Sequence, residues 1–175
     1  MNHRMLRNSL KKGMATASLS SLGIDLSAET SEVGAELKKA IQNKFGRSFR
    51  IREVDTGSCG ACESEIIACS NPLYDIQRFG IDFVASPRHA DGLLITGTVT
   101  PNMMLALKKT YDAIAYPKIV IAVGACAISG GIYRGIPDEN CGADTHVPVD
   151  LFIPGCPPNP ATILDGLLRL LGRIR

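Results

Sequence analysis

The sequence predicts an open, doubly wound parallel α/β sheet of four or five strands, preceded by an N-terminal helical extension. Three observations carry this. Strand-like and helical runs alternate along the chain, the pattern of strand–crossover–strand units. The strand-like runs Gly92–Ile95 and Lys118–Val123 are near-continuously apolar rather than alternating, so both faces of the sheet are covered. The chain has 175 residues, 45% of them apolar, enough for one compact domain with a sizeable core.

The first stretches lie outside that domain. Residues 1–14 carry His3, Arg4, Arg7, Lys11 and Lys12, with Met5, Leu6, Leu10 and Met14 available as an apolar stripe. The segment reads as a membrane-surface or partner-docking arm, with a mobile terminus as the plain alternative. Residues 15–30, rich in Ser, Ala and Thr, read as a linker. Glu32 to Phe45 reads as a helix, with Val33, Leu37 and Ile41 four residues apart and Gly46 as terminator. The extension therefore spans residues 1–47 and the compact domain residues 48–175.

Within that domain, Phe49 to Val54 is the first strand and runs into Asp55-Thr56-Gly57-Ser58-Cys59-Gly60-Ala61-Cys62-Glu63. Cys62 to Cys69 follows as a helix, and Ile81 to Val84 as a short second strand. Gly92 to Ile95 is a buried strand. Thr100 as N-cap and Pro101 in the first turn open a helix through Met104, Leu107, Tyr111 and Ile114, which Pro117 stops. Lys118 to Val123 is the fourth strand and ends at Gly124-Ala125-Cys126. Residues 129–148 read as loop. Val149 to Ile153 is the last strand, ending at Pro154-Gly155-Cys156-Pro157-Pro158. Asn159 caps and Pro160 starts the last helix, with Ile163, Leu167, Leu170 and Leu171 as its stripe.

Composition narrows the function. The net charge is +2, aromatics are 5% of the chain and Trp is absent, which leaves little to attract or stack nucleic acid. Six cysteines are too few for a small disulfide scaffold. The first 20 residues lack the apolar core of a secretory signal. A cytosolic, reducing setting is expected, where clustered cysteines bind metal or do chemistry. No stretch approaches the roughly 18 apolar residues of a membrane span. The longest run, Ile119 to Ile132, is broken by Gly124, Gly130 and Gly131.

The cysteines supply the sharper signal. Cys59 and Cys62 have the CxxC spacing shared by zinc sites, dithiol redox sites and iron–sulfur clusters. Parallel strands all end at one sheet edge, where ligands bind. Cys59 and Cys62 follow the first strand, Cys126 the fourth and Cys156 the fifth, so three loops deliver four thiols to that edge. One pair plus two distant singles is unlike a zinc ribbon, which uses two close pairs. A cubane of four irons and four sulfides suits thiols from several loops. Gly57, Gly60, Gly124 and Gly155 permit close backbone approach and N–H bonds to sulfur. The pattern favours a cluster over a structural zinc. Cys69, in an apolar helical context, reads as a buried small hydrophobe. Cys141 reads as an ordinary loop cysteine, with a fifth thiol near the cluster as the alternative.

On these residues the chain resembles a known family. Cys59-Gly-Ala-Cys62-Glu-Ser-Glu65 is similar to the small, cluster-bearing subunit of membrane-bound, energy-converting nickel–iron hydrogenases of the formate hydrogenlyase type. That small subunit is related to the 20 kDa, or B-type, component of complex I. The likeness continues through Asn71–Asp75, Arg78–Gly80, Ser86–Asp91, Thr96-Gly97, Val123–Cys126, Ser129–Gly131, Val147–Asp150 and Pro154–Pro158. It covers residues 48–172 and none of 1–47. It implies a flavodoxin-like fold and one 4Fe–4S cluster on Cys59, Cys62, Cys126 and Cys156, proximal to a large subunit's active site. The complex I component uses two adjacent cysteines at the first position, whereas here two residues intervene, as in the hydrogenases.

The resemblance makes this chain an electron conduit rather than a complete enzyme, because the paired CxxC motifs that hold nickel in the large subunit are absent. The implied partners are that nickel–iron large subunit, a ferredoxin-like subunit with two 4Fe–4S clusters, and integral membrane subunits of an ion-translocating arm. The implied location is peripheral, at the cytoplasmic face of the cell membrane. Glu65 matches a family position and is a candidate for proton movement or partner orientation. As helix N-terminal carboxylates, Glu63 and Glu65 are also favoured by the helix dipole alone. Arg88 and His89 are candidates for facing a partner or the membrane arm, with a salt bridge as the structural reading. Two other functions compete: a complex I-type quinone-reducing component, and a zinc-stabilised interaction protein.

Overall fold

The computed structural model describes residues 26–136 and 142–173. Five strands, β1 (Phe49–Asp55), β2 (Ile81–Phe83), β3 (Gly92–Thr96), β4 (Ile119–Val123) and β5 (Leu151–Ile153), form one parallel sheet. The strand order is β2-β1-β3-β4-β5. The helices are α1 (Leu26–Phe45), α2 (Ala61–Cys69), α3 (Pro101–Ala113), α4 (Gly124–Ser129) and α5 (Pro160–Arg173). This is the flavodoxin-like order, in which the chain reverses direction across the sheet between β1 and β3 and leaves a crevice at their carboxyl ends.

Alternate residues of the central strands serve two separate cores, as expected of a sheet covered on both faces. Leu94, Ile121, Val123 and Ile153 pack with Leu37, Ile41, Ile66, Leu167 and Leu171 under α1, α2 and α5. Leu93, Ile95, Val120 and Ala122 pack with Leu107, Ile114 and Ala127 under α3 and α4. Each Leu or Ile so buried is worth about 1.5–3 kcal/mol relative to exposure. At the amino-terminal edge, Arg47 forks onto Asp91 (2.8 and 2.6 Å), which also accepts the Arg50 N–H (3.0 Å). That carboxylate ties the start of β1 to the start of β3.

Several sequence expectations need correction. α1 begins at Leu26 rather than Glu32. Its first turns, including Leu26, Ala28 and Glu29, are good helix formers inside what reads as a linker. β5 begins at Leu151 rather than Val149, because the Asp150 side chain accepts the Val120 N–H (2.8 Å) where a ladder carbonyl would. Thr100 stands at the N-cap of α3 but makes no capping side-chain hydrogen bond. Asn159 does cap α5, accepting from the Thr162 N–H (2.8 Å). The basic arm over residues 1–14, most of the linker and Cys141 lie outside the described residues.

Candidate metal centre

The carboxyl edge of the sheet carries the site. β1 ends at Asp55, whose carboxylate accepts the N–H groups of Gly57 and Ser58 (2.8 Å each) and fixes the turn before Cys59. Ser58 in turn accepts the Gly60 N–H (3.0 Å). Cys62 then falls in the first turn of α2. β4 passes directly into α4 at Gly124, so Cys126 sits on a short helix and not in the plain turn its flanking glycines suggest. The Ala125 N–H donates to Gly155 O (2.8 Å), which joins the Cys126 helix to the loop holding Cys156.

Gly124 is where these pieces meet. Its φ is +87°, and a Cβ there would stand 2.5 Å from Cys62 Sγ. Neither the backbone conformation nor the space admits a side chain. Cys62 and the Cys126–Cys156 half of the site thus come together around a position only glycine can fill.

The thiols respond to one another. Cys62 is pushed up to about 11, first by burial, then by Glu63, Cys126, Cys59 and Cys156. Cys126 is also pushed up, by burial and then by Cys156, Cys59 and Glu63. The half-buried pair Cys62 and Cys126 thus lies close enough to the other thiols for these to raise both groups further. A cationic centre among them would reverse that balance, since bound metal favours thiolate.

The donor set fits an iron–sulfur group. Four free thiols come from three loops, with Cys59 and Cys156 exposed and Cys62 and Cys126 half-buried. Among the described residues, no group of three or more His, Cys, Asp or Glu side chains is placed to hold a metal ion. Cys69 is fully buried in the core, in keeping with its reading as a small hydrophobe, and its thiol is pushed up to about 12, chiefly by burial.

The acidic residues divide. Both Glu63 carboxylate oxygens and Glu53 Oε1 are buried without a hydrogen-bond partner. Glu53 is pushed up to about 7, first by burial, then by Glu63 and Asp55, against the pull of Arg52. Sequence reading passes over Glu53; an acid inside a strand, between Arg52 and Val54, is the signal that could have found it. Glu65 is half-buried on α2. Arg88 and His89 lie in the turn Pro87–His89, close to the edge opposite the thiols, where the ion pair is Arg47 with Asp91.

Comparison with known proteins adds to this geometry. Residues 59–170 match the family model described as NADH ubiquinone oxidoreductase, 20 Kd subunit. A probable membrane-bound hydrogenase subunit, MbhJ, of Pyrococcus furiosus is 46% identical over 74% of this chain and 78% of its own length. Formate hydrogenlyase subunit 7 of Escherichia coli is 45% identical over 86% of this chain and 59% of its own length. The B-type subunit of NADH-quinone oxidoreductase from Clostridium beijerinckii is 39% identical over 82% of this chain and 94% of its own length. Among solved structures, a chain of the membrane-bound sulfane sulfur reductase, an archaeal respiratory membrane complex, superposes with TM-score 0.63 at 37% identity. That match covers 72% of this chain and 70% of the other. A chain of an NAD+-reducing nickel–iron hydrogenase shares the fold at TM-score 0.57 and 23% identity, over 73% of this chain and 94% of the other.

Proposed function

This chain belongs to the NADH ubiquinone oxidoreductase 20 Kd subunit family, and from that premise we propose that it is the electron-transfer subunit of a membrane-bound nickel–iron hydrogenase complex. Cys59, Cys62, Cys126 and Cys156 hold one 4Fe–4S cluster, between the active site of a nickel–iron large subunit and a ferredoxin-like subunit with two such clusters. The observation that supports this reading is the delivery of four free thiols from three strand ends to one sheet edge, with Cys62 Sγ against Gly124 at the start of the Cys126 helix. When bound, such a cluster takes up and releases one electron at a time.

The chain's own part is to bind, orient and shield. Half-buried Cys62 and Cys126 anchor the inner side of the site, while exposed Cys59 and Cys156 face the approach of a partner. Glu65 is the carboxylate to which we assign proton transfer or partner orientation. No helix of the described residues is long and apolar enough to cross a membrane. The reading puts the chain peripherally at the cytoplasmic face, beside integral membrane subunits of an ion-translocating arm.

A quinone-reducing role has specific support in the NADH-quinone oxidoreductase relative. The two-residue gap between Cys59 and Cys62 favours the hydrogenase branch. Purification of the full chain with its native partners separates them. A large subunit with nickel-binding cysteine pairs is expected; a large subunit lacking them overturns the hydrogenase assignment in favour of quinone reduction.

A further inference from the structure

The crevice between β1 and β3 contains a contact that the cluster reading does not use. Thr56, the first residue after β1, is completely buried. Its N–H and its hydroxyl both donate to Thr96 O (2.9 and 2.6 Å). The same hydroxyl accepts the Val99 N–H (3.0 Å), and the Thr56 carbonyl accepts the Thr100 N–H (2.8 Å). The hydroxyl thus donates and accepts at once, which serine can reproduce and valine cannot.

What it holds is unusual. Val99 has φ +57° and is buried, although a β-branched residue rarely adopts the left-handed conformation. The twist lays residues 96–100 against the thiol turn. A Cβ on Gly97 would stand 2.8–2.9 Å from backbone atoms of Gly57 and Ser58, and one on Gly57 would stand 2.4 Å from Thr100 Cγ2. Ser58 is the residue before Cys59. We propose that Thr56 is a positioning residue for the metal centre: its hydroxyl holds Val99 in its strained turn, and the loop so held braces the segment that places Cys59 and Cys62. Without the hydroxyl, Val99 relaxes, Gly97 withdraws from Gly57 and Ser58, and the CxxC half of the site loosens. The inference rests on the cluster reading above.

The test uses the full chain, reconstituted anaerobically with ferrous iron and sulfide. Iron release to a chelator and the electron paramagnetic resonance spectrum of the reduced protein are read for wild type, Thr56→Ser, Thr56→Val and Thr56→Val/Val99→Gly. Thr56→Val is expected to release iron about 10–100-fold faster, the usual scale for losing a supporting contact around a metal site, with shifted g values. Thr56→Ser is expected to match wild type. The double variant is expected to regain the slower release, because glycine takes the left-handed turn unaided. If Thr56→Val alone does not fold, the comparison is made in the Val99→Gly background. There, loss of the hydroxyl is expected to leave release unchanged, and a full loss of iron overturns the proposal. A Thr56→Val chain indistinguishable from a loaded wild type, or a Thr56→Ser chain as impaired as Thr56→Val, also overturns it. A wild type that takes up no iron and sulfide overturns the cluster reading itself.

Discussion

Cys59 and Cys62 are two residues apart yet chemically distinct: Cys59 is exposed, whereas Cys62 is half-buried and pushed up to about 11. Since thiolate is the reactive form, metal-free protein treated with iodoacetamide at about pH 8 is expected to label Cys59 and Cys156 first, Cys62 later and core Cys69 last. Peptide mass mapping over time reads that order. Glu53 gives a second residue-level prediction. Its pKa rises from 4.5 unfolded to about 7 folded, so the native state binds more protons between those values. Stability therefore falls as pH rises through that window. Replacing Glu53 with Gln is expected to remove this fall, read as urea midpoints at about pH 5 and pH 8. The four candidate ligands were legible because strand ends and glycine turns punctuate the sequence around them. Glu53 and Thr56 were not, because a strand acid is costly only once folding buries it beside Glu63 and Asp55, and a threonine between Asp55 and Gly57 reads as turn until Val99 is seen against it.

Among the elements, α1 is part of the fold rather than an appendage. Leu37 and Ile41 are buried in the same core as Ile121 and Leu167, and Gly34 lies so close to the Phe79 ring that a Cβ there would clash. Leu37→Ala is expected to lower stability by about 2–5 kcal/mol, the range for a buried Leu truncated to Ala, as measured by denaturant unfolding. The four-residue spacing of Val33, Leu37 and Ile41 made this helix readable, though not its first turns. α4 escaped because its six residues are too few for a helical period to show. Yet it decides the geometry of Cys126. Gly124→Ala is expected to displace Cys62 and reduce iron retention, since the added methyl would meet Cys62 Sγ. Unchanged iron content in that variant would count against the shared site.

Across the whole molecule, topology does the gathering. A 2-1-3-4-5 parallel sheet sends every strand's carboxyl end to one edge, so residues far apart in sequence meet there without dedicated long loops. Fold class and the gathering of the four candidate thiols at one edge could be read together for that reason, because both depend on where strands stop. The reaction could not. Relatives of this chain are named as subunits of hydrogenase, formate hydrogenlyase and NADH-quinone oxidoreductase complexes. Related chains thus belong to complexes named for different reactions.

Iron, acid-labile sulfide and zinc per chain, measured on anaerobically purified wild type, Cys126→Ser and Cys69→Ser, test the four-thiol cluster most directly. About four irons with matching sulfide are expected in wild type, lost or depleted in Cys126→Ser and retained in Cys69→Ser. One zinc per chain without sulfide, or equal loss of iron in the two variants, would contradict it.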